Sequence, residues 1–294
     1  MSKVHFERVA LIGIGLINSS LARLLRREKL AGKIVVCARS QKSLDTSMHL
    51  GFCDEATLDP AAAVKGADLV VLGTPLSAYG EIAAAISKAL KPGAIVTDVG
   101  SVKQAVIRDV LPHIPAGSHF VPGHPVAGTE HSGPESGFAD LFLDRWYIVT
   151  PLAETDAQAL ARVTALWQAA GMKIVTMEAE HHDLVLAITS HLPHLIAYTV
   201  VGTATDLEDT LKSEVIKFSA GGFRDFTRIA ASDPVMWRDI FLNNREAVLE
   251  MLQRFSEDLT ALQRAIRWGE AKQLEDLFTR TRTIRRSIIE AKQA

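Results

Sequence analysis

The stretch VALIGIGLINSSLARLL, residues 9–25, runs an apolar strand pattern into Gly13-Ile14-Gly15 and then into a helix pattern. That context, more than the two glycines, marks a phosphate-cradling turn of the dinucleotide-binding kind. Gly13 permits the tight turn. Gly15 lets the backbone approach a pyrophosphate held by the first helical amides, among them those of Leu16 and Ile17. The position that usually carries a third glycine is Asn18. Because that glycine serves close packing of helix on strand, its loss is expected to cost packing and to leave the anion site intact.

Outward from this turn, VALIGI, KIVVCA, ADLVVLGT and GAIVTDVG alternate with helix-period segments, which predicts a parallel sheet covered on both faces. Further strands are predicted at HFVPG, WYIVTP and KIVTM, with a helix over DAQALARVTALWQAAG that stops at Gly171. After about Glu178 the strand patterns cease. Long segments such as DIFLNNREAVLEMLQRFSEDLTALQRAI then place apolar residues at three- and four-residue intervals. The expected architecture is α/β: a Rossmann-like, doubly wound parallel sheet over residues 1–177, followed by an all-helical domain over 178–294. Such long amphipathic helices in so small a domain predict a homodimer formed through the C-terminal helices.

Bulk properties narrow the function. A chain of 294 residues with a formal net charge of −2 and interspersed charges offers no electrostatic case for nucleic acid or a membrane surface. Two cysteines, Cys37 and Cys53, make no disulfide framework, and the first residues lack a secretory pattern, so a cytoplasmic enzyme with a small-molecule substrate is expected. No apolar run near the roughly 20 residues of a membrane span stands out.

Two segments concentrate polar and special-geometry residues. PGHPVAGTEHSGPESG, residues 122–137, reads as a loop beyond a strand, where parallel sheets place their ligands. HHDLVLAITSHLPHLIAY, beginning at His181, is a helix pattern interrupted by Pro193, which should open or kink the helix beside Ser190, His191 and His194. The histidines lack the interposed glutamate of a zinc hydrolase and have no cysteine nearby, so no metal is expected. His191 reads equally well as a histidine satisfied by partners at the kink.

GIGLINSSLA, DVGSVK (residues 98–103), GHPVAGTEHSG and SHLPH, followed by GGFRDFTRIAASDPVMW, together resemble the prephenate and arogenate dehydrogenases of tyrosine biosynthesis, in the same order and over nearly the whole chain. Asn18 is the departure. The resemblance implies oxidative decarboxylation of a cyclohexadienyl acid, giving 4-hydroxyphenylpyruvate or tyrosine. No fused mutase or small regulatory domain is expected after the helical domain. His124 is then the base or hydrogen-bond acceptor for the 4-hydroxyl, a role open to a neutral imidazole; alone, it could merely cap a turn. Ser101 would hold imidazole and hydroxyl in register, and alone reads as a helix N-cap. Arg228 is the expected clamp for the side-chain carboxylate, with an ion pair to Asp225 as the plain alternative. Thr129, Glu130, Ser190, His191 and His194 would line the pocket, Glu130 gating it or balancing charge. Thr74 and Pro75 would edge the nicotinamide.

The cofactor is read as NADP, with NAD as the alternative. The second strand ends KIVVCARSQKS without the carboxylate that binds a ribose 2′-hydroxyl, and supplies Arg39 and Ser40 instead. The rival functions are another two-domain hydroxyacid dehydrogenase and a dinucleotide-sensing protein without catalysis.

Overall fold

The computed structural model describes residues 4–206, 214, 217–218 and 220–290. The chain forms two compact units, residues 1–245 and 246–294.

In the first unit, β1 (Phe6–Ile12), α1 (Leu16–Glu28), β2 (Ala31–Cys37), α2 (Gln41–His49), β3 (Glu55–Thr57), α3 (Pro60–Val64), β4 (Leu69–Leu72), α4 (Tyr79–Ser87), β5 (Ile95–Asp98), α5 (Lys103–Val110) and β6 (His119–Val121) follow in order. The six strands make one sheet in the order β3-β2-β1-β4-β5-β6, parallel throughout. This is the doubly wound arrangement expected from the alternating pattern. Strand periodicity explains the two-sided burial: Val9 and Leu11 enter one apolar cluster with Leu21 and Leu25 of α1, whereas Ala10 and Ile12 enter the opposite one with Tyr79 and Val106. β3 was not predicted, since three residues at a sheet edge give too little alternation to read.

A second, three-stranded sheet adjoins it. The segment read as a loop over 122–137 begins instead with a strand, β7 (Gly123–Val126), antiparallel to β8 (Trp146–Val149), which in turn pairs in parallel with β9 (Lys173–Thr176). Between β8 and β9 lies α6 (Ala157–Ala169), capped by the Asp156 side chain on the amide of Ala159 and followed by Gly171. Beyond β7 the chain does run as a loop. It is pinned to α1 by Phe138 N–H to Ser20 Oγ, 3.0 Å, and by Arg23 to the carbonyl of Pro134, 3.0 Å.

Helical structure follows β9. α7 (Ala179–Leu186), a π-helical turn (Ala187–His191) and α8 (Leu192–Thr205) run on as one piece. The opening expected at Pro193 therefore lies in the turn before it, where an i→i+5 bond pattern relieves the missing donor. By length and composition this 27-residue run, which contains an 18-residue window of mean hydropathy 1.6, is sufficient to cross a bilayer, contrary to the expectation from the sequence. Its His182, Asp183 and His191 are buried and hydrogen-bonded to residues of other elements, the use made of a core helix. Helices Gly221–Thr227 and Pro234–Asn243 complete the first unit. The long apolar-periodic segment breaks at Asn244, after which Arg245–Trp268 and Ala271–Glu290 form two amphipathic helices. Within the second unit Leu249, Leu259, Ile266, Trp268, Phe278 and Ile284 remain exposed.

Candidate active site

The glycine turn has the geometry an anion site needs. Gly13 has φ +84°, in the left-handed region, and a Cβ there would lie 2.6 Å from the carbonyl oxygen of Gly73. Above Gly15 nothing lies within 4 Å of a built Cβ, so the backbone is open to a ligand. The N-terminus of α1 carries neither a side-chain cap nor an acidic residue in its first turn, and the first helical bond runs from Ser19 N–H to Gly15 O. The amides of Leu16 and Ile17 are left to meet an anion. Thr74 beside this turn has a buried Oγ1 without a partner among the described residues, and Pro75 precedes the short helical turn Leu76–Ala78. These features fit a dinucleotide pyrophosphate. At the end of β2, Arg39 is exposed and makes no ion pair or hydrogen bond among the described residues, while Ser40 caps α2 by accepting from Ser43 N–H at 3.2 Å.

Asn18 occupies the place of the third glycine and is 1% exposed. Its Nδ2 donates to Gly13 O at 2.8 Å and reaches Ile12 O at 3.3 Å, tying α1 to the end of β1.

His124 lies in the middle of β7, 7% exposed. Its Nδ1 is 2.9 Å from Nε2 of His182, and Nδ1 of His182 is 2.8 Å from Oδ1 of Asp183. The Asp183 carboxylate also accepts the backbone N–H groups of Lys103, 2.7 Å, and Gln104, 2.9 Å, so it caps α5 from outside that helix. Below His124, the buried Asp98–Lys103 ion pair grips the peptide on either side of Gly123: Asp98 Oδ1 accepts Gly123 N–H at 3.0 Å, and Lys103 Nζ donates to Gly123 O at 2.6 Å. Burial first, then the neighbouring His182, Lys103 and His191, hold the His124 imidazolium well below its usual range; the ring is neutral near pH 7. Ser101 sits in the turn between β5 and α5, half-buried, and makes no hydrogen bond among the described residues.

On the other side of this cluster, His191 is buried, with Nδ1 3.1 Å from Asn244 Nδ2, and burial lowers its pKa to about 4. Since the Asn244 amide donates, the proton of His191 is on Nε2, which has no partner. His194 donates from Nδ1 to the Ser190 carbonyl, 2.9 Å, and stacks on Trp237 with ring centroids 3.6 Å apart. Burial, and next the positive charge of Arg228, depress its pKa. Arg228 pairs with Glu130 at 2.7 Å and not with Asp225. Glu130, helped by its own backbone amide and then by Arg228, is held below the usual carboxylate range. Thr129 accepts His131 N–H at 3.3 Å on the exposed loop. His124, His191, His194 and Arg228 thus form one electrostatically connected cluster. His182, Asp183, Lys103, Asp98 and Trp237 join it without having been singled out for it; all lie inside the quoted motifs, but their partners are distant in sequence. Among the described residues no group of three His, Cys, Asp or Glu side chains is disposed to hold a metal ion.

A dinucleotide cradle on a doubly wound sheet, with a buried neutral histidine on a strand bonded to the end of β5 of that sheet, defines a nicotinamide-dependent dehydrogenase. The family description prephenate dehydrogenase, nucleotide-binding domain, matches residues 21–176, and prephenate dehydrogenase, dimerization domain, matches 178–280. The chain belongs to the prephenate dehydrogenase family. It is 43% identical to a cyclohexadienyl dehydrogenase of Zymomonas mobilis, over 95% of each chain. The structure of prephenate dehydrogenase from Aquifex aeolicus in complex with hydroxyphenyl propionate and NAD+ superposes with a TM-score of 0.90 at 34% identity, covering 98% of this chain and 100% of that one. Synechocystis arogenate dehydrogenase gives 0.77 at 28% identity, over 95% and 98%.

Proposed function

We propose that this protein oxidatively decarboxylates prephenate, arogenate or both, with NADP as the preferred hydride acceptor, as a cytoplasmic homodimer. The observation that carries the reading is His124: a buried, neutral imidazole whose neighbour Gly123 is bonded to Asp98 at the end of β5, in the sheet that carries the dinucleotide cradle, in a family whose relatives are named for this chemistry. A nicotinamide cofactor, when bound, supplies the acceptor for the hydride that leaves C4. The residues of the chain have the remaining tasks. His124 accepts a hydrogen bond from the 4-hydroxyl as C4 gains carbonyl character; the ring carboxylate then leaves as carbon dioxide and the ring becomes aromatic. The oxygen keeps its proton in the phenolic product, so the acceptor needs to draw on that proton without storing it. A depressed imidazole pKa suits that task. Ser101, without a hydrogen bond among the described residues, is available to the same hydroxyl.

Arg228 holds the side-chain carboxylate, exchanging its bond to Glu130 for one to substrate, and Glu130 balances its charge otherwise. Thr129, Ser190, His191 and His194 shape the pocket, with His194 fixed against Trp237. Leu16, Ile17, Gly13, Gly15, Thr74 and Pro75 bind the dinucleotide, and Arg39 with Ser40 takes a ribose 2′-phosphate. Residues 1–177 form the cofactor domain and 178–294 the substrate and dimerisation domain. The exposed Leu259, Ile266, Trp268 and Phe278 supply apolar surface for a second copy. Two free, buried cysteines accord with a reducing compartment.

The test is direct: purified protein is mixed with prephenate or arogenate and either cofactor, and the reduced-nicotinamide absorbance and carbon dioxide are followed. Stoichiometric release of both is expected; no reduction with either substrate would overturn the reading.

A further inference from the structure

Asp183, His182 and His124 stand in a line of hydrogen bonds whose donor directions are determined at one end. The Asp183 carboxylate receives the amides of Lys103 and Gln104 and faces Nδ1 of His182. It can only accept from that ring, so His182 bears its proton on Nδ1. In a neutral ring Nε2 of His182 is then a lone pair, and it lies 2.9 Å from Nδ1 of His124. His124 must be the donor there. We infer that His182 and Asp183 are positioning residues that hold His124 in the Nδ1–H tautomer, so that its Nε2 lone pair is the atom offered to the substrate hydroxyl. This rests on the reaction proposed above.

Three further observations support the inference. Burial lowers the pKa of His182 despite the adjacent carboxylate, which keeps the ring in the neutral form the relay requires. The two rings meet edge to face, centroids 5.1 Å apart and planes at 65°, a geometry that rotation of either ring would break. The backbone of His124 is fixed independently, because the Asp98–Lys103 pair holds both polar groups of Gly123. As His124 draws on the hydroxyl proton and gains positive character, its Nδ1–H leans on His182, and the Nδ1–H of His182 on the carboxylate. The wrong tautomer would set Nε2–H toward substrate and oppose two lone pairs across a buried contact.

Asp183→Asn retains shape but presents an amide N–H₂ to one of its three donors, which favours the inverted tautomer of His182 and hence of His124. Expected is a loss of kcat of roughly 100- to 10,000-fold, with the KM for substrate and the affinity for cofactor within about threefold of wild type. His182→Leu should lose as much, and His182→Gln, which keeps an acceptor oxygen for His124, should recover at least about tenfold over the leucine variant. The second measurement needs no variant beyond assignment: ¹⁵N spectra of histidine-labelled wild type, with His124→Asn identifying its signals, should show His124 protonated on Nδ1. Protonation on Nε2, or an Asp183→Asn enzyme with kcat within threefold of wild type, would overturn the inference. The tautomer is read in the resting protein, so it is decided even if wild type proves inactive on prephenate and arogenate, an outcome that sinks the proposed reaction instead.

Discussion

A methyl group built on Gly73 would stand 2.5 Å from Nδ2 of Asn18. The close approach that a third glycine normally provides within the first helix is therefore supplied from across the sheet, where Gly73 at the end of β4 leaves room for the asparagine. Helix and strand stay packed because small and large have exchanged places, and the asparagine uses the space to bond Gly13 O.

This predicts non-additive stability. Asn18→Gly deletes buried hydrogen bonds and leaves a void, costing about 1–3 kcal/mol, while cofactor affinity stays within a few-fold because the amide turn is untouched. Gly73→Ala is expected to be worse, since the three atoms nearest the new methyl all belong to Asn18, at 2.5–3.2 Å. The double variant should be more stable than Gly73→Ala alone, as removal of the side chain makes room for the methyl. Urea unfolding of the four proteins checks this, and additive losses would disprove the exchange.

His124→Asn should reduce turnover by at least about 100-fold, the usual cost of losing a positioned acid–base group, with little change in cofactor affinity. Steady-state rates and a fluorescence titration of the cofactor measure both; near-normal turnover would remove His124 from the chemistry.

Arg228 is more than half exposed, so its pair with Glu130 adds less than about 1 kcal/mol to stability. Arg228→Ala should leave thermal unfolding nearly unchanged. Loss of a charge-assisted contact with substrate, on the order of 2–3 kcal/mol, should raise KM by about 30- to 150-fold. A change in stability without a change in KM would make the arginine structural.

The buried histidines predict a particular acid sensitivity. His191, with a folded pKa of about 4, binds fewer protons than its unfolded counterpart near 6.5, and His124 and His182 are shifted in the same direction. For a depressed histidine the unfolded state is the one favoured by acid. Stability is therefore level above about pH 7 and is lost as pH falls from about 6.5 toward 4, by up to about 3 kcal/mol from His191 alone. The depressed carboxylates Asp54, Asp68 and Asp239 add their losses only below about pH 4. Unfolding midpoints measured from pH 8 to 4.5 should show the decline, and His191→Gln should make it shallower.

The sheet was legible because its strands are buried on both faces and separated by helix-period segments, so that local pattern and final environment agree. β7 was not: Gly123-His124-Pro125-Val126 has a turn-like composition, and its strand character comes from pairing with Trp146–Val149, some 20 residues on. The candidate site divides in the same way. His124, Ser101 and Arg228 lie in motifs that can be read one at a time. The relay behind His124 cannot, since His182 is 58 residues from it and Asp183 is 80 from Lys103. Adjacent histidines and an aspartate on a helix suggest metal ligation or nothing until the fold brings their partners in.

The proposed preference for NADP rests on the end of β2. An acidic side chain there would bind the ribose 2′-hydroxyl of NAD and repel the 2′-phosphate of NADP. This chain has Ala38, Arg39 and Ser40 at that place, with Lys42 in the first turn of α2. Arg39 is exposed and, among the described residues, has no ion pair, so none of them competes for it. Ser40 accepts the Ser43 amide as a helix cap and meets the Ser43 hydroxyl at 2.9 Å; with Ser43 as the donor in that contact, the Ser40 hydroxyl hydrogen is available to a phosphate. The 2′-phosphate would meet a guanidinium, a hydroxyl and the N-terminal end of α2 together. Wild type should therefore show a higher kcat/KM with NADP than with NAD. Arg39→Ala should narrow that ratio by about 10- to 100-fold, the worth of one charge-assisted contact, chiefly through KM for NADP, with NAD kinetics hardly altered. A wild-type preference for NAD, or a ratio unmoved in Arg39→Ala, would refute the assignment.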